Sequence, residues 1–181
     1  MGLLLRRSTP LVAAALALAA LSPAAAPAKQ KGGGYRHFDA VETGSSVITS
    51  AGPVLKVTGD AVIRGKLIGK GTLHLDLTVT PAPVGDWKAV GRFTITAANG
   101  DTLTGTSRGS LKVTGQVNAV DFRSKVRGGT GRFAGARGWL VSRGTTTIVE
   151  IDAAGAIHTS DEATCKGLIR LAKKRGGRNR H

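Results

Sequence analysis

One glycine-rich stretch says most about the architecture of this chain: Gly128-Gly129-Thr130-Gly131-Arg132-Phe133-Ala134-Gly135-Ala136-Arg137-Gly138. Five of its eleven residues are glycine, and they surround a single aromatic side chain. The sequence on either side alternates apolar and polar residues, which is typical of a strand with one buried face. Glycine in a strand marks a bulge, a corner or the close approach of another backbone. So dense a run predicts that a β-sheet bends sharply at this point.

Strand signals dominate the chain outside this stretch. Residues 72–79 and 90–97 alternate most clearly, with apolar residues at every second position. Asn99-Gly100 follows the second run and predicts a hairpin with a type I′ turn. Residues 107–110 predict a further turn, and residues 119–126 predict the strand that leads into the glycine-rich stretch. Between residues 35 and 160 no stretch keeps the period of 3.6 that an amphipathic helix requires.

About eight short strands, without a helix to cover them, predict an all-β fold. Two architectures fit this pattern, a β-sandwich and a small antiparallel closed β-barrel, and strand spacing alone does not distinguish them. The choice between them rests on a family resemblance of the glycine-rich stretch, which implies the barrel. Closure also leaves no strand edge exposed in a small protein.

The glycine-rich stretch resembles the GGTG-x-F-x-x-A-R-G signature of dirigent proteins and the related GG-[ST]-G-x-F-x-G segment of allene oxide cyclases. The resemblance rests on the following residues: Gly128, Gly129, Gly131, Phe133, Gly135 and Gly138. It implies an antiparallel barrel whose cavity takes an apolar or phenolic small molecule. Allene oxide cyclases close a ring on a fatty-acid-derived epoxide, and dirigent proteins steer phenoxy-radical coupling or quinone-methide closure. Both act mainly by holding a reactive molecule in one conformation.

The resemblance does not extend to catalytic residues. Dirigent proteins carry acidic pocket residues on early strands, where Asp60 and Asp76 are the acids of this chain at plausible inward positions. Neither aligns with the family motif, so no catalytic residue is assigned. The chain also has only four Phe, two Trp and one Tyr, which departs from a pocket built to hold aryl groups.

The residues themselves offer one candidate for a ligand pocket. His74 and Asp76 lie two positions apart and therefore share one strand face. Arg92 and Thr94, on the polar face of the next strand, are expected across from them. Such a group orients a carboxylate or acts as acid and base. In the alternative interpretation the neighbouring leucines point into the core, and these polar residues face water.

No cofactor or metal is predicted. His158, Asp161 and Glu162 lie close together in sequence, but their spacing fits no ordinary ligand set. Motifs for serine hydrolases, zinc proteases and phosphate loops do not occur.

Residues 1–28 are predicted to be a secretory signal peptide. Arg6 and Arg7 precede an apolar run that ends at Leu21, and residues 26–28 offer a cleavage site. That run is short of the roughly 20 residues that span a bilayer, although an uncleaved anchor is the alternative. We therefore expect a secreted or cell-envelope protein with a flexible leader over residues 29–34 and one barrel domain over residues 35–171. The single cysteine, Cys165, is either a buried side chain or a reactive thiol.

Positive charge is concentrated after the domain. The chain carries a net charge of +15, yet residues 35–165 contribute only +4 of it. Residues 172–181 are predicted to be a disordered basic tail. Its candidates for binding an anionic cell-envelope polymer are Lys173, Lys174, Arg175, Arg178 and Arg180. A solubilising extension without a partner is the alternative, and sequence-specific nucleic-acid binding is not predicted.

Three functions remain open from the sequence. The first is a secreted barrel that binds a small hydrophobic ligand without turning it over. The second is an isomerase or cyclase of the kind that the family resemblance implies. The third is a surface protein that presents its basic tail to polyanions. Related barrels associate as homo-oligomers, but no residue of this chain requires it.

Overall fold

The computed structural model describes residues 34–172, which form a closed antiparallel barrel of eight strands in sequential order. The predicted signal peptide, most of the leader, and the tail residues 173–181 lie outside this range. No helix within it is long and apolar enough to cross a membrane. The strands are β1 (Tyr35–Ala51), β2 (Val54–Gly65), β3 (Gly69–Thr80), β4 (Trp87–Ala97), β5 (Thr102–Lys112), β6 (Val117–Gly129), β7 (Arg137–Ile151) and β8 (Ile157–Arg170).

The barrel closes because β1 pairs with both β2 and β8. This confirms the predicted closed barrel and excludes the sandwich. Apolar alternation sets the inward face, as β3 shows: Leu73, Leu77 and Val79 are buried, whereas His74 and Asp76 are exposed. The leucines thus face the interior.

One prediction about the strands was wrong. Residues 107–110 do not turn but continue β5. Ser107 points inward there, and its hydroxyl lies 2.7 Å from that of Ser124 on β6. A strand with inward hydroxyl groups lacks apolar alternation, so the sequence pattern indicated a turn instead.

The hairpin at Asn99-Gly100 is confirmed, but its turn type is not. Gly100 has a φ of 82°, whereas no non-glycine residue between 34 and 172 has a positive φ. A type I′ turn needs positive φ at both central residues, so Asn99 rules it out. Ala97 instead receives a hydrogen bond of 2.9 Å from the amide of Gly100 and donates one of 2.9 Å to Asp101. This is the pattern of a longer hairpin loop with glycine at its left-handed position.

Inward glycines let the strands curve tightly. A β-carbon on Gly91 of β4 would overlap the carbonyl oxygen of Asp76 on β3. One on Gly105 of β5 would overlap the ring of Phe93. Glycine at these two positions therefore permits the close approach of a neighbouring backbone and of a packed aromatic ring.

The packed core occupies one end of the barrel. Phe133, from the short turn Gly131–Phe133, is fully buried there. It belongs to a cluster of buried side chains that includes Phe38, Ile63, Leu103 and Ile169. Inward apolar side chains in the opposite half, such as Val57 and Leu111, are only partly buried. One end of the barrel is therefore plugged and the other is open.

Candidate functional site

A cavity of about 120 Å³ lies in the half of the barrel away from Phe133. Its lining comes from all eight strands. The glycine-rich stretch contributes nothing to this lining, because its residues close the other end. The predicted signature residues thus shape the barrel and stand apart from the cavity.

One wall of the cavity is apolar and comes from β2, β3 and β4. Alternation on β3 supplies three leucines, and β4 supplies a phenylalanine and an isoleucine across from them. Leu75 is in register with Phe93, and Leu73 with Ile95. The members of this wall are Val57, Ala61, Leu73, Leu75, Leu77, Val79, Phe93 and Ile95.

The opposite wall is polar and comes from β1, β7 and β8. Glu42 of β1 accepts a hydrogen bond of 3.3 Å from the hydroxyl of Ser142 on β7. Asp161 of β8 accepts hydrogen bonds from the hydroxyl groups of Ser46 and Thr159, the latter 3.0 Å long. Both carboxyl groups line the cavity. The site therefore has one face for hydrocarbon and one for hydrogen-bonding groups.

Burial raises the pKa of Glu42 above the ordinary value of a glutamate. Hydrogen bonds from Cys165 and Ser142 act in the opposite direction, and they are the smaller effects. The carboxyl group is consequently held toward its protonated form, in which it can donate a hydrogen bond to a ligand.

Cys165 was expected to be either a buried side chain or a reactive thiol, and the structure shows it buried. Burial, together with the nearby carboxylate of Glu42, raises the pKa of its thiol far above the usual range. A thiol with so high a pKa supplies almost no thiolate at neutral pH, and the thiolate is the nucleophilic form. Cys165 therefore packs against Glu42 and contributes a hydrogen bond, without the properties of a nucleophile.

Glu42 and Asp161 are diagonal neighbours on the inner face of the sheet. Glu42 pairs with Ala163, and Asp161 pairs with Gly44, two positions further along β1. Such positions lie about 7–8 Å apart. The two carboxyl groups differ in setting, since one is held by a thiol and one hydroxyl and the other by two hydroxyl groups. Together they are able to give and take protons on one ligand.

The four residues predicted for a ligand pocket do not line the cavity. His74, Asp76, Arg92 and Thr94 lie together on the outer face of β3 and β4, with Asp76 in register with Arg92 and His74 with Thr94. Their predicted proximity is therefore present, but on the outside, because the leucines of β3 take the inner face.

His74 is part of a small charged cluster on that outer face. Its Nδ1 lies 2.8 Å from Asp60, and its Nε2 lies 3.3 Å from Asp76. The hydrogen bond with Asp60 is the main reason that the pKa of His74 is raised. The side chain of Asp60 is 76% exposed, so it is occupied outside and does not serve as an inward acid.

The inward acid on an early strand is Glu42, which sequence analysis missed. Its neighbours on the inner face of β1 include Phe38, Ala40 and Ser46. Only the first two of these show the burial of a core residue. The available signal was that Glu42 lies four positions after Phe38, because residues an even number of positions apart share one face of a strand.

The residues considered for a metal are separated by the strand itself. Asp161 faces the cavity and bonds to Ser46, whereas Glu162 is exposed on the outside. His158 lies 3.0 Å from Asp152, in the turn before β8. Asp161 is on the opposite face of β8 from His158 and Glu162, and the three side chains form no common site.

Arg132 of the glycine-rich stretch holds Phe133 in place at the plugged end of the barrel. The guanidinium group of Arg132 lies 4.8 Å from the centre of the Phe133 ring. It also donates a hydrogen bond of 2.9 Å to the carbonyl oxygen of Ile68 and lies 3.6 Å from Asp101. Gly131 (φ 53°) and Gly135 (φ 70°) take left-handed conformations on either side of the phenylalanine. These contacts hold Phe133 in the barrel.

Comparison with known proteins gives matches at the level of structure only. No family model matches the sequence, and no curated protein matches it. The structure of the pterocarpan synthase dirigent protein PsPTS1 is similar, with a TM-score of 0.50 at 11% identity, over 80% of this chain and 99% of that one. A second pterocarpan synthase dirigent protein, GePTS1, matches with a TM-score of 0.44 at 15% identity, over 80% and 93% of the two chains. The fold of this chain is therefore a dirigent-like eight-stranded β-barrel.

Proposed function

We propose that the barrel binds a small, mainly apolar molecule that carries at least one hydrogen-bonding group. The observation that carries this proposal is the cavity of about 120 Å³, which opens at the end away from Phe133 and has an apolar wall facing a carboxyl-bearing wall. A ligand that fits both walls gains from burial on one side and from directed hydrogen bonds on the other.

The volume limits the size of the ligand. Apolar protein cavities of roughly 150 Å³ hold a molecule such as benzene. A cavity of about 120 Å³ therefore takes one small ring or a short branched chain. A larger molecule fits only by extending through the open end of the barrel.

The two walls fix the orientation of the ligand. The hydrocarbon part packs against Leu75 and Phe93, and the polar group is directed to Glu42 and Asp161. A protonated Glu42 donates a hydrogen bond to a carbonyl or ether oxygen, whereas a carboxylate accepts one from a hydroxyl group. We therefore favour an alcohol, phenol or carbonyl compound over a pure hydrocarbon.

Native mass spectrometry of the protein recovered after export tests this proposal. A bound molecule adds mass to the folded protein, and the addition disappears on denaturation. Leu75→Trp places a large side chain in the cavity, whereas His74→Trp places the same side chain one residue away on the outer face. We expect the first variant to lose the added mass and the second to keep it.

If the recovered protein carries no bound molecule, phenol and toluene serve as probe ligands. A ligand that binds only the folded state raises the melting temperature as its concentration exceeds its dissociation constant. We expect phenol to raise the melting temperature of the wild-type protein more than toluene does, and neither probe to raise that of the Leu75→Trp variant. A protein that carries no added mass and responds to neither probe would contradict the proposal.

Catalysis of an isomerisation or cyclisation is the second candidate, and the diagonal pair of carboxyl groups favours it. One group donates a proton to an oxygen of the bound molecule, and the other removes a proton from a carbon or oxygen. The proton count of the molecule does not change, so the product has the mass of the substrate.

This second candidate has its own test. The molecule released from the protein is returned to ligand-free protein and followed by chromatography for a product of equal mass. Glu42→Gln keeps the shape of the side chain and removes its acid function, so we expect binding to persist and conversion to fall by at least about a hundredfold. Binding without any conversion by the wild-type protein would leave the first function alone.

A further inference from the structure

The outer surface of β6, β7 and β8 near the plugged end of the barrel is basic, and the cavity makes no use of it. Residues that are in register across the three strands form rows on this surface. In three successive rows, every outward side chain is either a cation or apolar. This basic face consists of Arg123, Lys125, Arg127, Arg137, Trp139, Val141, Lys166, Leu168 and Arg170. Strand geometry makes it about 10 Å by 13 Å between outer Cα atoms.

Its centre is apolar and partly exposed. Trp139 of β7 is 52% exposed. It is in register with Lys125 of β6 on one side and with Leu168 of β8 on the other. Val141 follows two positions along β7 on the same face. The exposed tryptophan and its two half-buried apolar neighbours form a small apolar patch rimmed by polar side chains, and rimmed apolar patches are typical of protein and membrane contact sites.

Cations occupy the rows on both sides of the tryptophan. On one side, Arg123 and Lys166 flank Val141 in register. On the other side, Arg137 is in register with Arg170, and it donates a hydrogen bond to the carbonyl oxygen of Arg127. The apolar centre is thus bordered by six positive charges.

These six cations have no anionic partner within residues 34–172. In that part of the chain, none of them lies within ion-pair distance of a carboxylate. The nearest acids by register are Asp39, opposite Lys166 at the border with β1, and Asp121, which already pairs with Arg143 at 2.9 Å. Six like charges held together beside one or two acids repel one another and destabilise the isolated barrel, so an external anion would relieve this repulsion.

We propose that the basic face binds the surface of an anionic lipid bilayer. A soluble polyanion would neutralise the six cations but would leave Trp139, Val141 and Leu168 in water. The interfacial region of a bilayer accepts both, since tryptophan favours the depth of the headgroups and lysine and arginine pair with anionic headgroups. The apolar centre therefore favours a lipid surface over a soluble polyanion.

The end of the described chain strengthens this surface. The strand β8 ends at Arg170, which is a member of the basic face. The sequence then adds five cations within ten residues of Arg170: Lys173, Lys174, Arg175, Arg178 and Arg180. These charges follow the basic face in the sequence, and each cation adds to the attraction of the chain to anionic lipid.

Co-sedimentation with lipid vesicles tests the proposal on protein recovered after export, with its N-terminus checked by mass. We expect binding to phosphatidylcholine vesicles that contain phosphatidylglycerol and little binding to phosphatidylcholine alone. The triple variant Arg123→Gln, Lys125→Gln, Lys166→Gln should bind roughly a hundredfold more weakly, since each cation near an anionic surface contributes several-fold to affinity. Trp139 fluorescence should shift to the blue in these vesicles, measured with Trp87→Phe to remove the second tryptophan.

A matched variant separates this face from general positive charge. Lys56→Gln, Arg64→Gln, Lys70→Gln removes the same charge from exposed positions on β2 and β3, across the barrel, and should weaken binding far less. Melting temperatures verify that both triple variants fold. Equal losses in the two variants, or absence of binding to anionic vesicles, overturn the proposal. It is also overturned if polyphosphate or duplex DNA binds as tightly as the vesicles and leaves Trp139 fluorescence unchanged.

Discussion

Ser142 donates a hydrogen bond of 3.3 Å to the carboxyl group of Glu42, although 100 residues separate them in the sequence. The contact exists because closure brings β1 and β7 to the two sides of β8. Closure of the barrel thus places Glu42 on the inner face beside Cys165. Burial there raises the pKa of Glu42. The protonation of one side chain is thereby linked to the stability of the whole barrel.

Glu42→Gln should alter the pH dependence of stability. Because the pKa of Glu42 is higher in the folded than in the unfolded state, its contribution is fully present below the unfolded value of about 4.3 and is lost as the pH rises through the folded value. Glutamine is neutral throughout and still accepts the hydrogen bond from Ser142. The melting temperature of the variant relative to wild type should therefore rise between acidic and neutral pH. Exposed Glu162→Gln is the control, and a constant difference for Glu42→Gln would contradict the expectation.

Phe133→Ala should strongly destabilise the barrel, because it removes the side chain that plugs one end. The ring is fully buried among core side chains, so its removal creates a cavity and should lower the free energy of unfolding by about 3–5 kcal/mol. Urea denaturation measures the change. Val149→Ala, at a position 61% exposed, should change it by less than about 0.5 kcal/mol. A small effect of Phe133→Ala would mean that the ring does not support this end.

Two adjacent glycines of the same stretch should respond very differently to alanine. A β-carbon on Gly129 would overlap the carbonyl oxygen of Thr102 on β5, whereas one on Gly128 would have only Arg137 near it, at 3.5 Å. Gly129→Ala should therefore lower the free energy of unfolding by about 3 kcal/mol or more. Gly128→Ala should change it by less than about 1 kcal/mol. Similar values for the two variants would show that close strand approach is not the role of Gly129.

The fold was predictable because its signals are local. Alternation over Leu73, Leu75 and Leu77 fixes which face of β3 is buried, and the glycines around Phe133 mark the end of the barrel. Neither signal depends on which strands become neighbours. These patterns left a sandwich and a barrel open, and the closed order of the strands agrees with the barrel that the family resemblance implied.

The candidate site was not predictable in the same way, since its inner face is polar. Glu42, Ser107 and Asp161 all point inward, and each interrupts the apolar alternation that would have revealed its strand face. Their partners come from other strands, as Ser142 does for Glu42. His74 and Asp76 gave the stronger pattern in the sequence because they share a strand, yet that pattern describes the outer face.

The buried pair Ser107 and Ser124 should show strong coupling. Their hydroxyl oxygens lie 2.7 Å apart, and one hydroxyl donates to the other. Ser107→Ala or Ser124→Ala leaves a buried hydroxyl without this partner, and each should lower the free energy of unfolding by about 1–3 kcal/mol. Replacing both removes the polar atoms together, so the double variant should be no less stable than the less stable single variant. Urea denaturation of the four proteins gives the coupling energy. Strictly additive losses would mean that the two hydroxyl groups are satisfied independently, for example by a molecule held in the cavity that both of them line.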